Sequence, residues 1–433
     1  MSDFTLNPIA DPFKAVITPP GSKSLTNRAL VLAALAEGSS ELTNVLFADD
    51  TGVMLDSLER LGFVLEIDRT ALTVKVHGRG GKIDRSSADL FCGNSGTTIR
   101  FLTALCSLGT GEFVLDGVPR MHQRPIGELL ELLKHLGARV DCLENQGFPP
   151  VRVRAHGMAG GIARWGAAKS SQFLSAVLMI APYARHEVAI DLESGQTSWP
   201  YVVMTTRLMD EFGVICELMR DPETGDPRRI IVPQGAYIAG KYAIEPDASN
   251  ASYFLAAAAI HAGSQVTIPG LGSRSLQGDV EFAKVLGQMG AQVRQSAHET
   301  TVTGTPRLEG IDVDLSAMPD TAQTLAVAAL FADGSTTIRG LHTLRNKETD
   351  RLAALQAELS KLGAGVEIHD GDLTIHPPTH PRAAEIDTYD DHRMAMSFAL
   401  ACTKGPGIVI KDRECVGKTY PNYFEDLQRV VGR

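Results

Sequence analysis

Positive charge is scarce in this sequence, and so are long apolar runs. The 433 residues include 41 lysines and arginines against 51 acidic residues, which gives a formal net charge of −10. Nucleic-acid binding normally needs a basic surface, so we expect no nucleic-acid partner. No run of ~18 apolar residues occurs, and the first residues lack an apolar signal segment. We therefore expect no membrane segment and no secretion.

Metal and nucleotide motifs are also missing. The six cysteines lie far apart, without the short paired spacings of zinc or redox sites, so we expect a reduced, cytoplasmic protein with no metal site. Ser22, and not glycine, precedes Lys23, which excludes the P-loop pattern, and Arg79-Gly80-Gly81 is not a dinucleotide fingerprint. ATP and NAD therefore lack support, and we expect no cofactor.

The remaining composition is that of a globular enzyme-sized chain. Apolar residues make up 44% and charged residues 21%, with no segment biased enough to predict disorder. A chain of this length exceeds what one hydrophobic core usually serves, so we expect two domains of roughly 200 residues.

One pattern recurs along the chain with a period near 74 residues. An amphipathic helix that ends at glycine and precedes an alternating strand places its glycines 75, 76, 77 and 73 residues apart, at Gly62, Gly137, Gly213, Gly290 and Gly363. Such self-similarity indicates a repeated supersecondary unit. We expect an α/β fold of six units with mixed sheets, three units per domain. A solenoid scaffold that only binds proteins is the non-enzymatic alternative.

A predicted helix start opens each repeat. Capping explains small hydroxyl residues there, and for Ser249 and Thr321 it is as good an explanation as ligand binding. Capping does not explain Lys23, which adds repulsion to the positive helix end unless an anion lies between them; a solvated lysine is the alternative. The equivalent positions, with spacings of 73, 74, 78, 72 and 72 residues, are Ser24, Thr97, Ser171, Ser249, Thr321 and Arg393.

Two more helix starts favour an anion. Residues 93–98 form a glycine loop that enters an apolar helix, so backbone N–H groups there can approach a ligand closely. Arg124 and Pro125 are expected to open another helix, with Pro125 in its first turn and Arg124 at its positive end.

Charges are densest in residues 345–351. If this segment is helical, Lys347 and Arg351 lie one turn apart with like charges, and Glu348 faces Arg351. A surface salt bridge is the alternative. An active site in which carboxylates transfer protons is favoured by further charges in the same half of the chain. These are Asp320, Arg393 and Lys418.

Six motifs together resemble the 3-phosphoshikimate 1-carboxyvinyltransferase (EPSP synthase) family, from about residue 14 to residue 424. The resemblance implies a two-domain inside-out α/β barrel of six βαβαββ repeats, three per domain, in a monomer that closes on its substrates. It implies one domain of residues 1–20 and 245–433 and another of residues 21–244. The motifs are residues 21–28, 93–97, 124–125, 170–172, 347–351 and 391–393.

The resemblance implies two anionic substrates, which together carry a charge of about −6 and would account for the crowded cations. Most shikimate 3-phosphate contacts would come from domain 21–244, and the catalytic groups and cations for phosphoenolpyruvate from the other domain. Shikimate 3-phosphate would contact Lys23, Ser24, Arg28, Ser170, Ser171, Gln172, Ser198, Tyr201, Asp320, Thr343 and Lys347. Phosphoenolpyruvate would contact Lys23, Asn94, Gly96, Arg124, Gln172, Arg351, Arg393 and Lys418.

The implied reaction is addition followed by elimination, without a metal or nucleotide. The 5-hydroxyl attacks C2 of phosphoenolpyruvate as C3 is protonated, and the intermediate then loses phosphate. Asp320 is our choice for the hydroxyl proton and Glu348 for the methylene proton, with Lys23 assisting. Thr343 stands where many members of the family carry asparagine.

The nearest alternative within the resemblance is UDP-N-acetylglucosamine enolpyruvyl transferase. That enzyme usually carries a reactive cysteine five residues before its Arg-Pro pair, where this chain has Pro119. Residues 170–172 also favour shikimate 3-phosphate as the acceptor.

Overall fold

The computed structural model describes residues 3–166, 170–196 and 198–432. Contacts between Cα atoms divide the chain into two compact units. The first unit is Gly21–Ile244, and the second unit is Met1–Pro20 together with Glu245–Arg433.

Helices and strands alternate along both units. The α-helices are α1 (Lys23–Leu35), α2 (Asp49–Arg60), α3 (Gly96–Cys106), α4 (Gly127–His135), α5 (Ser171–Ile180), α6 (Trp199–Glu211), α7 (Ala248–Ile260), α8 (Phe282–Gln288), α9 (Ala322–Ala328), α10 (Arg351–Lys361), α11 (His392–Cys402) and α12 (Tyr423–Val430). The strands are β1 (Phe4–Thr5), β2 (Lys14–Val16), β3 (Glu37–Thr43), β4 (Val64–Asp68), β5 (Thr73–Arg79), β6 (Ser87–Phe91), β7 (Thr110–Asp116), β8 (Val140–Cys142), β9 (Val151–His156), β10 (Gly161–Trp165), β11 (Val188–Leu192), β12 (Glu217–Arg220), β13 (Pro227–Val232), β14 (Lys241–Ala243), β15 (Gln265–Pro269), β16 (Gln292–Gln295), β17 (Glu299–Thr303), β18 (Leu308–Glu309), β19 (Asp312–Asp314), β20 (Ala332–Asp333), β21 (Thr336–Arg339), β22 (Gly365–His369), β23 (Asp372–His376), β24 (Ala384–Ile386) and β25 (Ile408–Ile410).

One pairing pattern recurs in the sheets of the described chain. In the sheet β6-β7-β9-β8, β6 is parallel to β7, and the next two pairs are antiparallel. The sheets β10-β11-β13-β12, β14-β3-β5-β4, β2-β15-β17-β16 and β19-β21-β23-β22 repeat this order. The smaller sheet β24-β25-β1 has one parallel and one antiparallel pair. The α/β class with mixed sheets is therefore confirmed.

Helices form the core of each unit. Every residue of α3, α7 and α11 is buried, which is typical of helices that other elements cover on all sides. The run Ala256–Ala259 in α7 lets neighbouring elements pack close to the helix axis. In β7 the buried residues Phe113 and Leu115 alternate with the partly exposed Val114 and Asp116, so the strand buries one face only.

Side-chain N-caps start five of the core helices; the first four caps are 73, 75 and 77 residues apart, and the fifth follows 144 residues later, about two periods. Their oxygens accept hydrogen bonds from backbone N–H groups in the first turn, which otherwise lack an intrahelical partner. The caps are Ser22 (to Leu25, 3.4 Å), Ser95 (to Thr98, 3.4 Å), Ser170 (to Gln172, 3.3 Å), Asp247 (to Asn250, 2.8 Å) and Asp391 (to Arg393, 2.9 Å).

Capping by Ser249 and Thr321 is wrong. The Ser249 hydroxyl donates to Asp279 Oδ2 at 2.5 Å, and the Thr321 hydroxyl donates to the carbonyl of Met318 at 2.9 Å. The physical reason differs: Asp247 already caps α7, whereas α9 begins through a 3-10 turn, Pro319–Thr321, without a side-chain cap.

His261, next to the end of α7, is buried in the second unit. Its Nε2 lies 2.9 Å from Thr403 Oγ1, and its ring packs edge-on against Phe13. Burial, assisted by the charge of Lys404, lowers the pKa of His261 to about 4 from the ordinary value of 6.5. The folded protein therefore holds this imidazole neutral.

We predict that His261 weakens the fold in acid. Below its ordinary pKa the unfolded chain binds a proton that the folded chain refuses until about pH 4, so stability falls as pH drops through this window. Between pH 7 and pH 5 this should remove about 2 kcal/mol of unfolding free energy, which urea titration measures. Over the same pH range the His261→Gln protein should lose correspondingly less unfolding free energy. The His298→Gln protein, which is changed at an exposed site, should lose as much unfolding free energy as the native chain. Equal losses in all three proteins would contradict the account.

Candidate active site

The second unit gathers predicted site residues around one guanidinium, that of Arg351. Arg351 is 1% exposed, and its Nε and Nη2 donate to the carboxylate of Asp391 at 2.7 and 3.1 Å. Its Nη2 also donates to Glu348 Oε2 at 2.9 Å. Burial alone would lower the pKa of Arg351, but Asp391 and Glu348 outweigh burial and raise it. This cation is therefore permanently charged and fixed in orientation.

Asp320 connects three cations in this cluster. Its Oδ2 accepts from Arg393 Nη2 at 2.9 Å, and its backbone carbonyl accepts from Arg393 Nη1 at 3.1 Å. Its Oδ1 lies 3.3 Å from Lys347 Nζ and 3.6 Å from Arg351 Nη1. The side chain keeps 20% exposure, so a ligand can reach this carboxylate.

Glu348 lies between Arg351 and Lys418. Lys418 Nζ is 3.6 Å from Glu348 Oε1, and both side chains are about nine-tenths buried. Lys418 ends the short helical turn Arg413–Lys418. A carboxylate held in place by two cations is a candidate group for proton transfer, which requires a fixed position.

The helical interpretation of residues 345–351 is wrong. A 3-10 turn, His342–Asn346, ends at Lys347, and α10 begins only at Arg351. Asp350 has the extended backbone of an N-cap and accepts from Ala353 N at 3.2 Å, so the chain cannot be helical through it. Lys347 and Arg351 do not form a helical pair, yet Glu348 still contacts Arg351.

Two side chains before α10 are polar and largely shielded from water. Burial lowers the pKa of the Lys347 ammonium, and the nearby Asp320 carboxylate opposes that effect. Thr343 is buried on the preceding turn, and its hydroxyl has no hydrogen-bond partner in the part of the chain that the structure describes. A hydroxyl in that condition is a candidate for binding a ligand.

In the first unit, Lys23 is held at the start of α1. Its Nζ lies 3.1 Å from Asp50 Oδ2, and the Lys23 side chain is only 13% exposed. Asp50 comes from the first turn of α2. Lys23 is thus an enclosed, oriented cation, and the alternative of a solvated lysine is wrong.

Arg28, one turn further along α1, is completely enclosed. Its guanidinium donates to Thr205 Oγ1 at 2.7 Å, Ser175 Oγ at 3.3 Å and the carbonyls of Ser24 and Tyr201 at 3.0 and 3.5 Å. All four acceptors are neutral, and no carboxylate pairs with Arg28 among residues 3–166, 170–196 and 198–432. Burial therefore lowers its pKa to about 9. A bound anion would supply the missing charge.

Gly96 and Arg124 form one tightly fitted pair. Arg124 Nη1 donates to the carbonyl of Asn94 at 2.7 Å, which draws the guanidinium across the glycine loop. A Cβ at position 96 would lie 2.7 Å from Arg124 Nη2, so any residue other than glycine requires the guanidinium to move. The residues 93–98 do enter a buried helix, α3, as predicted.

Arg124 and Pro125 do not open a helix. Arg124 follows a short 3-10 turn, Met121–Gln123, and α4 begins only at Gly127 after Ile126. The physical reason is the backbone: Arg124, which precedes Pro125, is extended with φ −92° and ψ 126°, and Ile126 is not helical either. The Arg124 guanidinium points at the glycine loop, where it contacts Asn94.

Gln172, in the first turn of α5, is oriented at both ends of its amide. Its Nε2 donates to Thr97 Oγ1 at 3.1 Å, and its Oε1 accepts from Arg100 Nη1 at 2.7 Å. Arg100 also donates to the carbonyl of Pro125 at 3.0 Å and lies over the Phe173 ring. Ser170 and Ser171 begin the same helix.

Ser198 begins α6 with a left-handed φ of 53°, and Tyr201 follows in its first turn.

Sequence reasoning assigned no role to three charged residues that orient the others, Asp50, Arg100 and Asp391, although Asp391 lies in one of the six motifs. Each is buried, and Arg100 lies within the apolar helix α3. A charge inside an otherwise apolar helix was the available signal for Arg100, because such a residue needs a partner. Asp50 and Asp391 were recognisable only from their partners across the fold.

Neither a metal cluster nor a membrane span is found in the described chain. No group of three or more His, Cys, Asp or Glu side chains could hold a metal ion there. None of the described helices has the length and apolar character to cross a membrane.

Comparison with known proteins places this constellation in one family. The family model of EPSP synthase (3-phosphoshikimate 1-carboxyvinyltransferase) matches residues 9–427. The 3-phosphoshikimate 1-carboxyvinyltransferase of Nostoc punctiforme is 48% identical over 414 residues, which cover 95% of each chain. The chloroplastic enzyme of that name from Arabidopsis thaliana is 47% identical and covers 99% of this chain and 85% of its own.

Solved structures agree with the sequence comparison. EPSP synthase from Acinetobacter baumannii superposes with a TM-score of 0.80 at 25% identity, covering 99% of this chain and 98% of that one. The chain therefore belongs to the EPSP synthase (3-phosphoshikimate 1-carboxyvinyltransferase) family.

Proposed function

We propose that the chain transfers the 1-carboxyvinyl group of phosphoenolpyruvate to the 5-hydroxyl of shikimate 3-phosphate, with release of phosphate. The observation that carries the residue assignment is Arg28, a buried cation whose described partners are hydroxyls and carbonyls. A buried charge without an opposite charge is unfavourable, so an anionic substrate is the natural partner. The sequence relatives named 3-phosphoshikimate 1-carboxyvinyltransferase support this acceptor over a UDP-sugar.

Shikimate 3-phosphate combines a phosphate, a carboxylate and hydroxyls. The first unit offers cations beside hydroxyl and amide groups, which is the chemistry that such a ligand needs. The residues proposed for it in this unit are Lys23, Ser24, Arg28, Ser170, Ser171, Gln172, Ser198 and Tyr201. From the second unit, Asp320, Lys347 and the unpartnered hydroxyl of Thr343 complete the proposed set.

Phosphoenolpyruvate is smaller and more highly charged for its size. Its phosphate and carboxylate suit guanidinium forks and bare N–H groups at a helix start. The residues proposed for it are Lys23, Asn94, Gly96, Arg124, Gln172, Arg351, Arg393 and Lys418. Arg351 and Arg393 are already oriented by Asp391 and Asp320, so little side-chain freedom is lost when the anion binds.

The proposed chemistry has an addition step and an elimination step. Asp320 takes the proton from the 5-hydroxyl as that oxygen attacks C2, and Glu348 delivers a proton to C3, assisted by Lys23. In the elimination step C3 returns a proton to Glu348, the carbon–oxygen bond to phosphate breaks, and phosphate leaves with the electrons of that bond. Cations around both carboxylates stabilise the charge that develops during these steps.

The finer architecture belongs to the same proposal. The recurring sheet order and the regular N-caps support six βαβαββ repeats, three per unit, each unit forming an inside-out α/β barrel with helices within. The monomeric state and the cytoplasmic location stay predictions.

Substrate dependence tests the function directly. Phosphate release from phosphoenolpyruvate should require added shikimate 3-phosphate and should not occur with UDP-N-acetylglucosamine, as measured by a coupled phosphate assay. Release that depends on the UDP-sugar instead would reverse the assignment.

We predict that Gly96→Ala weakens phosphoenolpyruvate binding selectively. The added Cβ meets the Arg124 guanidinium and must displace it, so the KM for phosphoenolpyruvate should rise about tenfold or more. The KM for shikimate 3-phosphate should change little. The matched control is Gly52→Ala in α2, where a Cβ meets nothing within 4 Å and both KM values should be unchanged. An unaltered KM for phosphoenolpyruvate in Gly96→Ala would refute the role of this pair.

We also predict that turnover requires both carboxylates. Asp320→Asn and Glu348→Gln should each lower kcat by about 10² to 10⁴, because each removes a proton-transfer group. Calorimetry should show shikimate 3-phosphate still binding to both variants. Asp312→Asn, which removes an exposed carboxylate paired with Arg339, should leave kcat unchanged. Near-native turnover in either site variant, with both substrates bound, would show that the role given to that carboxylate is wrong.

A further inference from the structure

A strained turn precedes the Asp391 carboxylate that anchors Arg351. Tyr389 and Asp390 are consecutive non-glycine residues with φ of 56° and 52°. The left-handed region is unfavourable for residues with a Cβ and is rare for a bulky side chain such as tyrosine. The segment between β24 and α11 therefore needs outside contacts to keep this conformation.

Glu358 of α10 supplies those contacts from below the surface. Its side chain is fully buried, its Oε1 accepts from the Tyr389 hydroxyl at 2.6 Å, and its Oε2 accepts from Asp387 N at 3.1 Å. Lys361 Nζ lies 2.7 Å from both Glu358 Oε2 and Asp387 Oδ2. One carboxylate thus holds the residues on both sides of Thr388, and we call Glu358, Asp387 and Tyr389 the latch.

The Tyr389 hydroxyl is a dependable donor in this arrangement. Burial is the largest cause and the hydrogen bond to Glu358 the next largest; together they raise the pKa of the Tyr389 hydroxyl to about 12. The phenol therefore stays protonated at any pH where the protein works. Tyr389 is nevertheless 43% exposed, so its ring adds little buried area to hold the turn by packing alone.

Helix α10 also contacts the other end of the turn, at Asp391. Arg351, the first residue of α10, binds Asp391 through two hydrogen bonds, and Glu358 lies two turns later on α10. Asp391 also caps α11 through the N–H of Arg393. A shift of the turn would therefore move Asp391, and with it the Arg351 guanidinium and the backbone from which the Arg393 side chain extends.

We propose that Glu358 is a positioning residue, whose bonds to Tyr389 and Asp387 hold the left-handed turn that sets Asp391, Arg351 and Arg393. This inference rests on the proposed function, in which the two arginines bind phosphoenolpyruvate. Glu358 itself contacts neither arginine among its described partners; it acts through the turn.

Two substitutions at position 389 separate strain from lost contacts. Tyr389→Ala and Tyr389→Gly both remove the ring and its hydroxyl, but only glycine adopts a left-handed φ without strain. In Tyr389→Ala the KM for phosphoenolpyruvate should rise about tenfold, because losing one charge-assisted hydrogen bond typically weakens an interaction by about that factor. Tyr389→Gly should lie nearer the native value. The KM for shikimate 3-phosphate should stay within about twofold in both.

Glu358→Gln tests the carboxylate of the latch. The amide keeps the size of the side chain but loses the charge that pairs with Lys361, and only one of its two ends can still accept a hydrogen bond, so the turn should loosen. Its KM for phosphoenolpyruvate should rise as in Tyr389→Ala. Tyr242→Phe is the matched control, because it removes a tyrosine hydrogen bond to a backbone carbonyl elsewhere, and its kinetics should be native.

Hydrogen exchange measures the latch without relying on activity. Backbone amides of residues 387–393 should exchange faster in Glu358→Gln and Tyr389→Ala than in the native chain or Tyr242→Phe. Unchanged exchange, or equal effects of Ala and Gly at position 389, would overturn the proposal, as would a parallel rise in both KM values. If the native chain itself released no phosphate in response to shikimate 3-phosphate, the proposed function would fail while the exchange result still decided the latch.

Discussion

The buried pairing of Arg351 with Asp391 is the contact on which the second unit's charged cluster depends. Both side chains are almost completely shielded from water, and their two hydrogen bonds fix the guanidinium in one plane. Removing one partner of such a pair typically costs about 3–5 kcal/mol, because the other charge is left buried and unpaired. Glu348 and Asp320 are arranged around this guanidinium, and Lys347, Arg393 and Lys418 follow from them.

Arg28 in the first unit has a different environment. Arg28 is surrounded by hydroxyls and carbonyls and lies over the Phe101 ring, so its positive charge is solvated but not neutralised. An arrangement of this kind sacrifices stability for a site that favours anions. The two units therefore differ in the chemistry they offer. The first presents uncompensated charge and hydroxyls, whereas the second presents oriented cations with carboxylates able to move protons.

Local sequence patterns predicted a large part of this architecture. The glycine loop before α3 and the helix starts at Ser22, Ser95 and Ser170 all depend on residues close together in the chain, which is why they were recognisable. The charged segment before α10 was assigned to a helix because its spacing suits one; Asp350 as N-cap overrides that spacing. Asp50, Arg100 and Asp391 orient site residues 27, 72 and 40 positions away, and no local pattern reports such distances.

The buried charge of Arg28, which no carboxylate of the described chain compensates, serves to bind an anionic substrate. Thermal unfolding of Arg28→Met tests this role most directly. Methionine matches the apolar length of arginine without the charge, while Arg60→Met removes an exposed ion pair as the control. The account predicts that Arg28→Met raises the melting temperature of the free protein and abolishes the further rise that shikimate 3-phosphate gives to the native chain and to Arg60→Met. A free Arg28→Met protein that melts lower than the native chain, yet is stabilised by shikimate 3-phosphate to the same extent, would contradict it.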